Sequence, residues 1–288
     1  LLVHYQAGRL EEAEVLATSL TQQFPSHPFG WKVLGLVLQQ TGRLAESLAH
    51  MQTAVELSLQ DAEAHNNLGI TLSKLGRLDD SEASYRRAIA LRPDFAEAHN
   101  NLGNALKDST EVTEAEACYE RAILLAPDYA EAHSNLANLY QSLGRLREAE
   151  ASLRRAIALK PNFAEAHCNL GVTLKDLGSI GEAEASLRKA IALQPDFAEA
   201  HGNLGITLQA LGRFDEAGAS LEKAVALKPS FSEAHRHLTN TKHFSEADDH
   251  FYQMQALYHG TDISDDQRCH ICFALAKACD DMKNFAEA

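Results

Sequence analysis

Positive charge is scarce in this chain of 288 residues: 26 Lys and Arg stand against 40 Asp and Glu, a net charge of −14. Such an acid excess lacks the electrostatic footprint of a nucleic-acid partner. Long apolar runs are missing as well. None nears the ~18–20 residues that cross a bilayer, so no membrane partner is expected. Aromatics reach only 7%, with a single tryptophan, so a core must be built from Ala, Leu and other small aliphatics. Cysteine is sparse and odd in number, at 118, 168, 269, 272 and 279. That does not suit a secreted disulfide framework and points to a reducing, cytoplasmic compartment. The opening LLVHYQAGRL offers no charged segment before an apolar stretch, so no signal peptide is read. No segment alternates with period two, which argues against strands.

What the chain has in abundance is itself. AEAHNNLG at 62–69 returns at 96–103, then as AEAHSNLA at 130–137, AEAHCNLG from Ala164, AEAHGNLG from Ala198 and SEAHRHLT from Ser232, each 34 residues on. A divergent copy lies one period earlier, with Trp31 where later copies carry His. Prolines 25, 93, 127, 161, 195 and 229 keep the same beat, with Leu59 the exception. Internal periodicity of this kind signals a stacked repeat architecture.

Each period reads as two helices. Ala64, Leu68, Thr71 and Leu75 share one face, flanked by His65, Gly69 and Leu72, the spacing of a buried stripe. Gly76 stops that helix, because glycine tolerates a left-handed C′ conformation. A second run places Leu78, Ser81, Tyr85, Ala88 and Ile89 inward and ends before Pro93. DFAE at 94–97 reads as a capping box, repeated at 128–131, 162–165, 196–199 and 230–233. Ala88, Ala122, Ala156, Ala190 and Ala224 permit close helix approach. The expected fold is all-α.

These features resemble the tetratricopeptide repeat (TPR) family: a 34-residue helix–turn–helix with Leu-Gly in the first helix, Ala in the second and Pro near the end. The resemblance implies a right-handed superhelical solenoid with first helices on its concave wall. The main departure is the His column at 65, 99, 133, 167, 201 and 235, where the family places an aromatic. The organisation reads as a truncated first repeat over 1–27, six regular repeats over 28–231, an irregular shortened repeat over 232–259, and a linker with the first helix of a truncated final repeat over 260–288. After Thr239 the register slips, and Phe244, Ala247, Phe251 and Met254 form an amphipathic helix ahead of a polar break at 260–266. The phase of both ends, with 283–288 matching 212–217, is expected of a piece of a longer protein.

On the implied concave wall stand Asn67, Asn101, Asn135, Asn169 and Asn203. Equivalent positions are roughly 8–10 Å apart, near the length of three extended peptide residues at ~3.3 Å each. An Asn amide both donates and accepts, so the column would hold a protein or extended peptide by its backbone. It is similar to the asparagine ladder in the repeat arm of O-linked N-acetylglucosamine transferases. The alternative is a tolerated polar residue copied by duplication. Asn66, Asn100, Asn104 and Asn138 would widen the polar groove, and Lys107 and Lys175 would add positive points. The carboxylate clamp of chaperone-binding repeats is missing, since its positions hold Asn66, Asn100, Ser134, Cys168 and Gly202.

The His column is read as ring filling rather than metal ligation, because rings a helix diameter apart cannot share Zn–N bonds near 2.0–2.1 Å. A pH-sensitive groove is the residual idea for that column. The Glu column at 63, 97, 131, 165, 199 and 233 is read as capping. Cys269-x-x-Cys272 is expected to pack as small hydrophobes. No phosphate loop, nucleophile elbow or zinc-protease motif occurs, so no enzyme, cofactor or metal is expected in this chain. The function read here is a non-catalytic peptide-binding scaffold. The alternative is a recruiting arm for a larger transferase, because the tail from Tyr252 to Ala288 resembles the segment before the catalytic domain of bacterial repeat-containing sulfotransferases; a glycosyltransferase is suggested only by the ladder. Uncapped terminal repeats also point to end-to-end self-association.

Overall fold

The computed structural model describes residues 1–107, 111–261 and 263–283. The described residues hold seventeen α-helices and no strand. First come α1 (Leu2–Gln6) and α2 (Leu10–Gln23). Then follow α3 (Pro28–Gln40) with α4 (Leu44–Leu57), α5 (Ala62–Lys74) with α6 (Leu78–Leu91), and α7 (Ala96–Leu106) with α8 (Val112–Leu125). The next pairs are α9 (Ala130–Ser142) with α10 (Leu146–Leu159), α11 (Ala164–Asp176) with α12 (Ile180–Leu193), and α13 (Ala198–Ala210) with α14 (Phe214–Leu227). Last are α15 (Ser232–Thr239), α16 (Asp249–His259) and α17 (Asp265–Asp281). The fold is a helical repeat. Two compact units form, Leu1–Leu139 and Tyr140–Ala288.

In the first unit α3, α5 and α7 each pack on the helix that follows, and α4 and α6 each pack on the next first helix. The sequence dictates how close they come. A Cβ added at Gly69 would lie 2.6 Å from the Tyr85 ring, so only glycine lets α5 and α6 meet there. Ser81 is fully buried below that contact and donates to the Gly69 carbonyl at 2.9 Å. Ala88 and Ala122 are wholly buried, as their small size predicts. Leu78 departs from expectation, being 53% exposed. It is the first residue of α6, where a side chain tilts back past the helix end and away from the core.

The second unit repeats this design with aliphatic partners. A Cβ at Gly171 would meet Leu187 Cγ at 2.5 Å. Leu187, Ala190, Ala200, Leu204 and Leu208 form one core cluster with the Cys168 thiol, and Phe197 packs against it. Full burial of each such leucine stabilises by about 1.5–3 kcal/mol.

Two local expectations are corrected. The residues before α7, α11, α13 and α15 do not form capping boxes: their N-caps are Phe95, Phe163, Phe197 and Phe231, with no side-chain cap bond. Each of these Phe amides closes a turn on the carbonyl three residues back, and that turn moves the helix start one residue past the Asp, Asn or Ser. Asp61, by contrast, caps α5 directly, accepting from Glu63 and Ala64. The second correction concerns Phe244 and Ala247, which precede α16 rather than lie in it. Asp248 caps that helix by accepting from the Phe251 amide at 2.9 Å, fixing its start. Phe244, Phe251 and Met254 still share a core cluster with Ile271 and Ala278 of α17. Helix α17 packs on both α15 and α16. The expected match of 283–288 to 212–217 lies outside the described residues for 284–288, as does Asp262 in the expected polar break.

Candidate functional site

Three asparagines of the column brace neighbouring first helices. Asn101 donates through Nδ2 to Asn66 Oδ1 at 3.0 Å, and Asn135 donates likewise to Asn100 Oδ1 at 2.9 Å. In the second unit Asn203 reaches back to Cys168 Sγ at 3.7 Å, and burial pushes that thiol up to about 11. Asn66 and Asn100 therefore do not widen a groove; they are buried, at 1% and 4% exposure, as acceptors for the next repeat. Asn67 is buried too. Asn104 is exposed and accepts from the Tyr119 hydroxyl at 2.8 Å. Asn138 is half-buried and Lys107 exposed. Lys175 is half-buried, 3.5 Å from Asp176.

Sequence reasoning missed a second column. Gln39 donates to Thr71 Oγ1 at 3.0 Å, Gln141 to Thr173 Oγ1 at 2.6 Å, and Gln209 to the His237 carbonyl at 2.8 Å. These glutamines sit at one repeat position, which Lys107 and Lys175 occupy in other copies. Their spacing by multiples of 34 was the available signal.

The His column has a structural role that its residue type explains. Nε2 of His99, His167 and His201 lies 3.0 Å from the carbonyl of Pro93, Pro161 and Pro195, six residues earlier. The Trp31 indole N–H donates to the Pro25 carbonyl at 2.8 Å in the same way. A carbonyl only accepts, so each ring must carry its proton on Nε2. Imidazole and indole share a slot because each brings an N–H to an orphan carbonyl at a helix end. Among the described residues no three His, Cys, Asp or Glu are grouped to hold a metal. Cys269 and Cys272 are exposed on α17, against the expected packing, whereas Cys279 is buried. The stripe of α17 that faces α15 and α16 runs through Ile271, Ala274 and Ala278, which leaves both thiols off it.

The Glu column likewise does more than sit at helix starts. Lys32 reaches Glu63 at 2.7 Å, Asn66 donates to Glu97 at 3.2 Å, and Lys228 reaches Glu199 at 2.7 Å. The Lys228 hydrogen bond holds the Glu199 carboxyl below its ordinary range. In the second unit a surface depression brings Asn169 and Asn203 together with Glu165, Gln194, Phe197 and Glu199. It offers amides, carboxylates and one aromatic ring. Amides and carboxylates of this kind can bind and orient a polar ligand.

Profiles described as tetratricopeptide repeat match residues 94–162 and 168–230, and one described as TPR repeat matches 71–109. Together they cover more than half of the chain. It belongs to the tetratricopeptide repeat family. No curated protein sequence matches it. Among solved structures, this TPR chain is similar to YrrB, described as a TPR protein with an unusual peptide-binding site: 26% identity, 64% of this chain, 95% of that one, TM-score 0.51. It is similar to MamA at 25% identity over 56% of this chain and 95% of that one, TM-score 0.50. A chain of the APC/C Cut9–Hcn1 hetero-tetramer shares the fold at TM-score 0.75 and 15% identity. There 83% of this chain is matched but only 47% of that one, so the chain spans about half of that relative's length. Among the described residues no helix is long and apolar enough to cross a membrane.

Proposed function

We propose that this repeat chain is a non-catalytic scaffold that holds an extended protein segment against its first helices. The observation that carries the reading is the depression in the second unit, where the half-buried amides of Asn169 and Asn203 line one surface. The likeness to a repeat protein described by its peptide-binding site supports it; the transferase-arm reading draws no support from these relatives. The expected outcome is that Asn169→Ala/Asn203→Ala loses capture of extended peptides from an array while circular dichroism keeps its helicity. Asn135→Ala is the contrast: removing the donor to buried Asn100 costs about 1 kcal/mol of stability and leaves capture alone. Unchanged capture by the double variant rejects the reading.

End-to-end self-association is a second reading, favoured by exposed Leu2, Val3, Val15 and Leu16 on α1 and α2. A second copy covering that face gives a mass by light scattering that rises with concentration, and Val15→Glu/Leu16→Glu lowers it. A monomer at every concentration rejects this reading.

A further inference from the structure

The second unit contains a place where the chain's own pattern omits a cation. Before three of the first helices, α7, α11 and α15, a basic residue stands three positions ahead of the aromatic N-cap and lies over its ring. The Arg92 guanidinium is 3.7 Å from the centroid of Phe95, Lys160 Nζ is 4.7 Å from that of Phe163, and Lys228 Nζ is 5.4 Å from that of Phe231. Lys228 does two things at once, because the same ammonium reaches back to Glu199 at 2.7 Å. One repeat earlier the equivalent residue is Gln194, exposed and neutral. The aromatic there is Phe197, and the carboxylate that a lysine at 194 would reach is Glu165, by the 29-residue step that joins Lys228 to Glu199. Glu165 is exposed and has no ion pair among the described residues. These three residues line the depression with Asn169, Asn203 and Glu199.

In the first unit Ala126 also precedes an aromatic, Tyr129, without a cation, but Glu97 there accepts from Asn66 and no equivalent vacancy of partner exists. The second-unit site therefore combines a half-buried ring with no cation over it among the described residues, a carboxylate without an ion pair and two amides, in a chain of net charge −14.

We infer that this depression is a specificity pocket for a cationic side chain, a lysine ammonium or arginine guanidinium carried by the bound segment. The cation takes the place that Lys228 holds in the next repeat, with Glu165 as counter-ion and the Phe197 ring as its apolar and quadrupolar floor. Asn169 and Asn203 accept from the ammonium or hold the adjoining peptide backbone. The inference rests on the scaffold reading above and names the kind of segment the scaffold selects.

The test uses the full chain, ¹⁵N-labelled, and a seven-residue Gly/Ser peptide with one central lysine, compared with the same peptide carrying norleucine. The expected result is saturable shifts at the amides of Glu165, Phe197 and Glu199 with lysine, and at least about tenfold weaker binding with norleucine. Gln194→Lys supplies the cation internally and should cut lysine-peptide binding by about tenfold or more without lowering Tm, since position 194 is exposed. Equal binding of the two peptides, or undiminished binding by Gln194→Lys, overturns the inference. If Asn169→Ala/Asn203→Ala loses array capture while Gln194→Lys still binds the lysine peptide, the scaffold reading stands and the cation pocket falls. If array capture survives the asparagine changes, the scaffold reading itself fails.

Discussion

Helix pair α13–α14 and the segment α15–α17 begin on the same repeat motif, AEAHGNLG and SEAHRHLT, which share Glu-Ala-His and the Leu, and end in different structures. In the first, α13 runs thirteen residues and pairs with the helix that follows it. In the second, α15 stops after eight residues and pairs with α17, two helices on in sequence. His201 and His235 make the same bond, Nε2 to a proline carbonyl at 3.0 and 2.9 Å. His201 keeps part of its ring in solvent, whereas His235 is fully buried, its Nδ1 2.9 Å from His250 Nε2 and the rings stacked at 5.0 Å. The local sequence sets the first bond in both regions. What the chain does fifteen residues later decides whether the ring also becomes part of a core.

The largest effects should come from breaking that second contact. The Pro229 carbonyl fixes the proton on His235 Nε2, so Nδ1 accepts and His250 Nε2 donates. His235→Phe leaves the buried His250 N–H without a partner, at about 1–3 kcal/mol, and also removes the bond to the Pro229 carbonyl, while His201→Phe costs less because water reaches its site. Acid should act on the same pair. Burial pulls His250 from its ordinary 6.5 down to about 3, helped by His235 and Lys242 and opposed by Asp248. His235 is lowered by burial, against the pull of the Pro229 bond. The unfolded segment thus takes up protons that the folded one refuses, and stability rises with pH between about 3 and 6.5. Hydrogen exchange between pH 6.5 and 5, corrected for intrinsic rates, should show local opening of α15 and α16 growing by about tenfold per pH unit for each such proton. Flat exchange there would mean that the pair opens without charging.

The same contrast marks where sequence reading succeeds and where it stops. Period, the Gly76 stop and the Ala column were legible, because each is a local property repeated every 34 residues. Gly76 indeed adopts φ +75°. The cap was misread: Asp94 and Glu97 have the right spacing, yet the turn closed by Phe95 moves the helix start by one residue. Asn66 and Asn101 were both visible as polar, but which one is buried depends on packing between repeats, 35 residues apart. The six-residue step from Pro to His, shared by Pro25 and Trp31, was on the page and carried the hydrogen bond unseen. His235 keeps the repeat but His250 lies off it, and no periodicity joins the two.

A gentler substitution tests whether the His slot differs between the two regions. His99→Phe removes the N–H that reaches the Pro93 carbonyl at 3.0 Å. Because this ring is half-exposed, water partly replaces the bond, and the loss should be near the low end of a hydrogen bond's contribution, about 0.5 kcal/mol. His99→Trp should recover that loss, since Trp31 already donates to the Pro25 carbonyl from the equivalent position. At position 235 the same His→Trp change should fail, because an indole has no acceptor for the His250 N–H and its second ring meets the stacked imidazole. Urea melts of the four single variants decide it: rescue by Trp at 99 together with loss at 235 confirms that one slot serves two environments. Equal behaviour at both positions would mean that the proline carbonyl alone governs the column.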